Sequence, residues 1–189
     1  MHQEMLEEET FAPILAAARV GADWALAELW RLCNPRLVAW LHAEVGAAAE
    51  DVASETWMAV ARGLVRFEGD ADGFRAWLYT IARRRVVDHR RRQGRQVPTA
   101  PLDGHDHRSG DDTSAAVLDR MALDDAAASI ALLAPEQAEV IRLRVLAGLS
   151  VAEVAAVLGK QPGAVRVQCH RGLRRLAEVL SADRAREGV

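Results

Sequence analysis

Two helical patterns flank a tight turn in LSVAEVAAVLGKQPGAVRVQCHRGLRRL, the segment from Leu149 to Leu176. Ser150 can cap the first helix, and Glu153 three residues later can complete a capping box. Gly159 suits the end of that helix, and Pro162 suits the first position of the next one, where an N–H is not needed. The segment therefore predicts a helix-turn-helix.

The second of these helices combines an apolar stripe with a basic face. The residues that recur at helical spacing, and that we expect to face inward, are Val165, Cys169, Leu173, Leu176 and Leu180. The opposite face carries Val167, His170, Arg171 and Arg174, flanked by Arg166 and Arg175. Between residues 159 and 176 there are five basic residues and no acid. A solvated charged face is the alternative, but the coincident capping and turn signals favour binding of duplex DNA.

Composition excludes several classes of protein. The chain has 189 residues, of which 50% are hydrophobic, and a formal net charge of -3. No alternating β-branched run is present, which predicts an all-α protein. No phosphate-binding loop, HExxH or nucleophile elbow is present, so we expect no enzyme activity. Cys33 and Cys169 belong to no CxxC pair, and we expect no metal and no cofactor.

Hydropathy predicts the location of the protein in the cell. No run of about 18 apolar residues occurs, and the acidic start of the chain is the reverse of a secretory signal. We therefore expect a cytoplasmic protein with no membrane insertion.

The amino-terminal half predicts a helical bundle. Asp23 can cap a helix that Pro35 interrupts and that ends near Gly46. Further helices are expected over residues 48–65 and 73–92, with a loop over residues 66–72 between them. The helix that begins at Asp23 is expected to carry an apolar face of Trp24, Leu26, Ala27, Leu29 and Trp30.

This half also contains a second basic surface. Residues 62–95 hold ten arginines against four acids. Phe67 lies on the loop before the arginine-rich helix, where it can stack on an unpaired base or instead fold back onto Trp77. The two interpretations of Phe67 are nearly balanced.

Between the two basic modules the chain has loop composition. Residues 96–125 carry seven aspartates against two arginines. We predict a first domain over residues 1–92, a flexible acidic linker over 93–116, a second domain over 117–181 and a tail over 182–189.

Three segments resemble the extracytoplasmic-function (ECF) group of bacterial sigma factors. DVASETWMAVARGL, residues 51–64, resembles region 2.2, and FRAWLYTIARRRVVDHRRR, residues 74–92, resembles region 2.4. Residues 132–180, with the helix-turn-helix, resemble region 4. The resemblance implies two small helical domains that bind core RNA polymerase and direct it to promoter DNA. It also implies an anti-sigma factor as a partner.

The resemblance assigns roles residue by residue. Asp51, Glu55 and Trp57 match positions that bind the polymerase, although Trp57 is equally well explained as a core residue. The residues that match the minus-10 contacts are Phe67, Glu68, Gly69, Asp70, Arg75, Arg83, Arg84, Arg90 and Arg91. Those that match the minus-35 contacts are Lys160, Ala164, Arg166, Val167, His170, Arg171, Arg174 and Arg175. Arg84 stands where the family often carries asparagine, so contacts to the promoter can differ here.

Two other functions compete with this interpretation. A helix-turn-helix transcription regulator with an amino-terminal sensory domain explains the second module, but it leaves the arginines of residues 62–95 unexplained. A metal or redox sensor would use His105, His107, Cys169 and His170, but no second ligand pair at zinc spacing accompanies them.

Overall fold

The computed structural model describes residues 2–95 and 125–187, and all the regular elements in these two ranges are helical. The first domain contains α1 (His2–Arg19), α2 (Asp23–Val45), α3 (Ala49–Gly63) and α4 (Ala71–Arg95), with 3-10 turns at Gly46–Ala48 and Leu64–Arg66. The second domain contains α5 (described over residues 125–131), α6 (Pro135–Ile141), a π-helical turn (Arg142–Leu146), α7 (Val151–Leu158) and α8 (Pro162–Glu187). The predicted all-α class is confirmed.

The predicted linker lies mostly outside the described residues, as do His105 and His107. The predicted domain boundaries therefore stay predictions. Helix α4 continues to Arg95, past the end predicted at Arg92.

The prediction that Pro35 interrupts a helix is wrong, because α2 is continuous from Asp23 to Val45. Leu29 and Leu37 are fully buried on either side of Pro35, and this packing holds the helix across the missing hydrogen bond. Asp23 does not cap α2 either. The capping position is Ala22, which makes no side-chain hydrogen bond, and Asp23 lies in the first turn.

The apolar face predicted for α2 is also corrected. Leu29 is fully buried, but Trp24 and Trp30 are 62% and 49% exposed. The buried stripe runs through Ala25 and Leu29, and the two tryptophans lie beside it. Sequence periodicity located the helix correctly but placed too many large side chains in its core.

The two domains pack against each other. Helix α4 lies against α7, and α2 lies against the π-helical turn. Fully buried residues of the first domain, such as Phe74 and Leu78, belong to the same hydrophobic cluster as Leu149 and Val154 of the second. This contact brings the helix-turn-helix next to the arginine-rich helix.

Candidate nucleic-acid interface

The helix-turn-helix has the local structure that its sequence predicts. The Glu153 N–H donates to Ser150 Oγ at 3.2 Å, and the Ser150 N–H donates to Glu153 Oε2 at 2.6 Å, which completes the capping box. Gly159 ends α7 in a left-handed conformation (φ 63°, ψ 32°) that favours glycine. Pro162 is the first residue of α8.

The inward stripe of α8 differs from the predicted one. Val165 is fully buried, but Leu173 and Leu180 are 46% and 42% exposed. Gly172 takes the inward position instead, because a Cβ there would lie 2.8 Å from Ile141 Cγ1. A search for large apolar residues passes over a buried glycine, and this shifted the predicted stripe.

The outward face of α8 is available to DNA. Arg166, His170 and Arg171 are exposed, as is Ala164 in the first turn of the helix, and Val167 is 48% exposed. Within the described residues, Arg166 and Arg171 make no ion pair, so their guanidinium groups can bind guanine or phosphate.

Three basic residues at the edges of this face are partly neutralised. Lys160 is half-buried and lies 3.6 Å from a carboxylate oxygen of Glu136. Arg174 and Arg175 share Glu178, at 3.5 and 3.1 Å. Exposed pairs of this kind contribute little and exchange readily for phosphate.

The loop before α4 is packed rather than extended. The Phe67 ring stacks on Trp77 with ring centroids 4.9 Å apart, and the Arg19 guanidinium lies 5.2 Å from the Phe67 centroid. Gly69 is exposed, and a Cβ there would lie 2.6 Å from Phe67 Cζ. Of the two interpretations of Phe67, the structure shows the one in which it folds back onto Trp77.

The remaining loop residues lead into α4. Glu68 and Asp70 are exposed. The Gly73 N–H donates to Asp70 Oδ1 at 2.8 Å, which satisfies a free donor in the first turn of the helix.

Several arginines of α4 are already paired with carboxylates. Arg75 Nε donates to Glu153 Oε1 at 2.6 Å, Arg83 pairs with Glu139 at 2.8 Å, and Arg90 pairs with Glu44 at 2.6 Å. Arg91 lies 4.0 Å from Asp88. Arg84 is exposed and makes no ion pair within the described ranges. The sequence analysis did not predict the pairs with Glu153, Glu139 and Glu44, because these partners are 46 to 78 residues away from their arginines.

Arg75 is the most buried of the paired arginines of α4. Desolvation lowers the pKa of Arg75, but the hydrogen bond and charge of Glu153 act together with the charge of Asp72 and hold that pKa above its ordinary value. Arg75 therefore stays charged and bound to the second domain.

The candidate polymerase-binding face of α3 is rearranged relative to the prediction. Trp57 is 8% exposed, and its indole N–H donates to Asn34 Oδ1 at 3.0 Å, so it is a core residue. Asp51 is exposed, and Glu55 is half-buried and lies 3.3 Å from Arg92. Met58, one residue after Trp57, is 52% exposed and lies about one turn from Glu55. The sequence analysis singled out Trp57 and not Met58, because periodicity did not show which of the two faces solvent.

Two other classes of site gain no support. In residues 2–95 and 125–187, no group of three metal-ligating side chains lies close enough to hold an ion. Cys169 packs against the core and His170 is exposed. No helix in the described part of the chain has the length and hydropathy needed to cross a bilayer.

Comparisons with known proteins agree with the two-domain arrangement. The Sigma-70 region 2 family matches residues 29–96, and the Sigma-70 region 4 family matches residues 123–176. The chain is 36% identical to the ECF RNA polymerase sigma factor BldN of Streptomyces coelicolor, over 90% of this chain and 66% of BldN. It is 32% identical to the ECF RNA polymerase sigma factor SigD of Mycobacterium tuberculosis, over 94% and 87% of the two chains.

A solved structure is similar in fold. CnrH, determined in complex with the cytosolic domain of CnrY, matches with a TM-score of 0.67 and 24% identity, over 91% of this chain and 97% of CnrH. Matches to both sigma regions leave the regulator with a sensory domain disfavoured. The chain belongs to the ECF RNA polymerase sigma factors, the proteins that direct promoter-specific initiation of transcription.

Proposed function

We propose that this sigma factor reads the minus-35 element with α8 and recognises and melts the minus-10 element with the loop before α4 and the basic face of α4. The observation that carries the proposal is the outward face of α8. There Arg166, Val167 and Arg171 are exposed, and the preceding helix α7 is capped at both ends. Arginine makes bidentate contacts to guanine, and a valine can contact a thymine methyl group.

The minus-10 role is supported by aromatic groups at the start of α4 and by a basic group near its middle. The stacked pair Phe67 and Trp77 forms an aromatic platform, and the exposed Arg84 lies further along the helix. Extracting a base from the duplex costs a few kcal/mol, which stacking and phosphate contacts offset. Such a surface can hold an open strand without ATP hydrolysis, so we expect no enzyme activity of its own.

For polymerase docking, we propose a patch on α3 that consists of Asp51, Glu55 and Met58. Two acids beside an exposed apolar side chain suit a basic partner helix, with Met58 as the buried anchor of the complex. Trp57 would support the patch from below.

We also propose an anti-sigma factor as a partner, as in the solved complex of the sigma factor RpoE with the anti-sigma factor NepR from Bartonella quintana. Both domains expose large apolar side chains that a protein partner would bury, among them Trp24 at 62% and Leu132 at 64%. The place of action would be the cytoplasm, where promoters and polymerase meet.

Run-off transcription tests the proposal. Core RNA polymerase with this protein, on genomic promoter fragments, should yield transcripts that start at discrete sites, and polymerase alone should not. Failure of the purified protein to bind core polymerase would instead favour a regulator that binds DNA by itself.

A further inference from the structure

The carboxyl end of α1 reaches the loop before α4 through one side chain. Arg19 is the last residue of α1, and its guanidinium donates a hydrogen bond to the carbonyl oxygen of Gly69. The same guanidinium lies over the ring of Phe67, 5.2 Å from the ring centroid. The match to Sigma-70 region 2 begins only at residue 29, so it gives no role to Arg19. Arg19 nevertheless contacts two residues of the loop that we propose for the minus-10 element.

The ring of Phe67 is held by aromatic side chains whose own positions are fixed. Trp77 stacks on it with an interplanar angle of 25°, and Phe74 meets it edge-on with centroids 5.8 Å apart. Phe74 is fully buried, and Trp77 packs on α3, because a Cβ at Gly63 would lie 2.8 Å from Trp77 Cζ2. Two groups cannot cover the same face of one ring, so Arg19 lies over the face that Trp77 leaves free. A further ring could stack only on that face.

The backbone of Arg19 is fixed by the packing of α1. Phe11, Ile14 and Ala18 are buried in the core of the first domain, and the Phe11 ring lies 5.7 Å from that of Phe74. The Arg19 side chain is half-buried and crosses from this rigid support to the loop. Groups that bind a ligand are positioned best when they extend from such a packed element.

The charge of Arg19 has no acid to balance it. In the part of the chain that the structure describes, Arg19 makes no ion pair, and Asp70 of the loop accepts from the Gly73 N–H instead. Arg19 Nε is buried and has no hydrogen-bond partner there. The last turn of a helix suits a cation, but this does not explain why the guanidinium is directed onto an aromatic ring. A buried donor without an acceptor costs free energy, which a ligand with acceptor atoms would recover.

We propose that Arg19 is a base-binding residue of the minus-10 site: an unpaired non-template base enters between Phe67 and Arg19 and stacks between the ring and the guanidinium. This inference depends on the minus-10 role proposed above for Phe67. Entry requires Arg19 to move by the thickness of one base, about 3.4 Å. Its hydrogen bond to Gly69 is exposed and can be exchanged for one to water. The planar guanidinium stacks on bases, and its N–H groups can donate to a base edge or a phosphate.

The test combines a substitution in the protein with one in the DNA. Holoenzyme would be formed from core polymerase and either the wild type or Arg19→Ala. Its ligand would be a fork-junction template with a single-stranded non-template minus-10 segment, taken from a promoter that run-off transcription identifies. A second set of templates carries an abasic site at each minus-10 position in turn. The position whose loss weakens wild-type binding most is that of the captured base, and coupling between this base and Arg19 measures their contact.

We expect Arg19→Ala to weaken binding of the intact template by roughly tenfold, and binding of the template without the captured base by less than about twofold. A residue that merely supported the loop would lose the same factor on both templates, and that outcome would overturn the proposal. Unchanged binding of the intact template would overturn it as well. The matched control is Arg31→Ala, whose ion pair with Glu28 lies within α2, and which should leave both affinities unchanged.

Phe67→Ala separates this inference from the minus-10 function itself. Suppose that an abasic site weakens binding of the wild type, that Phe67→Ala abolishes this sensitivity and that Arg19→Ala retains it in full. The minus-10 function then stands, and the role of Arg19 is wrong. If no abasic site weakens binding of the wild type, the minus-10 site itself is wrong, and the inference about Arg19 is wrong with it.

A conservative variant keeps the test if circular dichroism shows that Arg19→Ala is unfolded. Arg19→Lys keeps a cation at the end of α1 and can still donate to Gly69, but it lacks the guanidinium plane. It should bind the intact template about threefold more weakly than the wild type, and the template without the captured base equally well. Equal affinity of Arg19→Lys and the wild type for the intact template would overturn the stacking of Arg19 on the base.

Discussion

Gly172 gives a direct test of how the recognition helix is seated. The residue is buried where α8 crosses α6, and an added Cβ would lie 2.8 Å from Ile141 Cγ1 and 3.5 Å from Gln137 Cβ. Ile141 is fully buried, and its Cγ1 is not the flexible end of a side chain. Alanine at 172 must therefore push the two helices apart or strain Ile141.

The magnitude follows from two opposing terms. Alanine is favoured over glycine in a helix by about 1 kcal/mol. Overpacking of a well-filled core costs about 1 to 3 kcal/mol. Gly172→Ala should thus lower the free energy of unfolding by up to about 2 kcal/mol, despite the better helix former.

Gly163 in the same helix supplies the matched control, because a Cβ there would have nothing within 4 Å. Gly163→Ala should raise the free energy of unfolding by up to about 1 kcal/mol. Urea unfolding followed by circular dichroism measures both variants, and their difference should be about 1 to 3 kcal/mol. Equal stabilisation by the two substitutions would refute the close contact between Gly172 and Ile141.

Three further substitutions test the proposed DNA contacts and the cap of the helix-turn-helix. Phe67→Ala should spare closed-complex binding but impair promoter opening, and a premelted bubble template should rescue it. Absence of rescue would make the contact of Phe67 with Trp77 purely structural. Arg171→Ala should weaken minus-35-dependent initiation by about 1 to 3 kcal/mol in run-off transcription, whereas unchanged output would remove Arg171 from the readout. Ser150→Ala should lower the free energy of unfolding, measured by urea unfolding, by about 1 kcal/mol, whereas Ser150→Thr should stay close to wild type. Equal stability of the alanine and threonine variants would contradict the capping role.

The sequence predicted the helix-turn-helix well because its signals are local. Ser150 and Glu153 are three residues apart, and Gly159 and Pro162 act on the backbone at their own positions. Each signal specifies a conformation whatever the rest of the chain does. The exposed arginines of α8 follow from the same periodicity.

Predictions that depended on packing were less successful. Trp57 and Met58 are neighbours in sequence, yet Trp57 is buried and Met58 is exposed. Periodicity alone does not fix the rotation of a helix to within one residue. The continuity of α2 through Pro35 likewise depends on buried side chains either side of the proline, since local preference alone would break the helix there.

The ion pairs between the two domains had no local signal in the sequence. Arg75 and Glu153 are 78 residues apart in sequence, and Arg83 and Glu139 are 56 apart. From the sequence, the arginines of α4 looked like a free basic surface. A high density of one charge therefore predicts affinity for anions, but not which anion is bound in the resting protein.

Glu153 shows how the local and the global structure are joined. Its Oε2 accepts from the Ser150 N–H and caps α7, while its Oε1 accepts from Arg75 and holds the second domain on the first. The two contacts use different oxygens, so the cap of α7 does not depend on the contact with Arg75. One carboxylate thus satisfies a local requirement of α7 and a contact to a residue 78 positions away in the sequence. Val154, the next residue, is fully buried in the hydrophobic cluster that both domains share, so polar and apolar contacts between the domains meet at the start of α7.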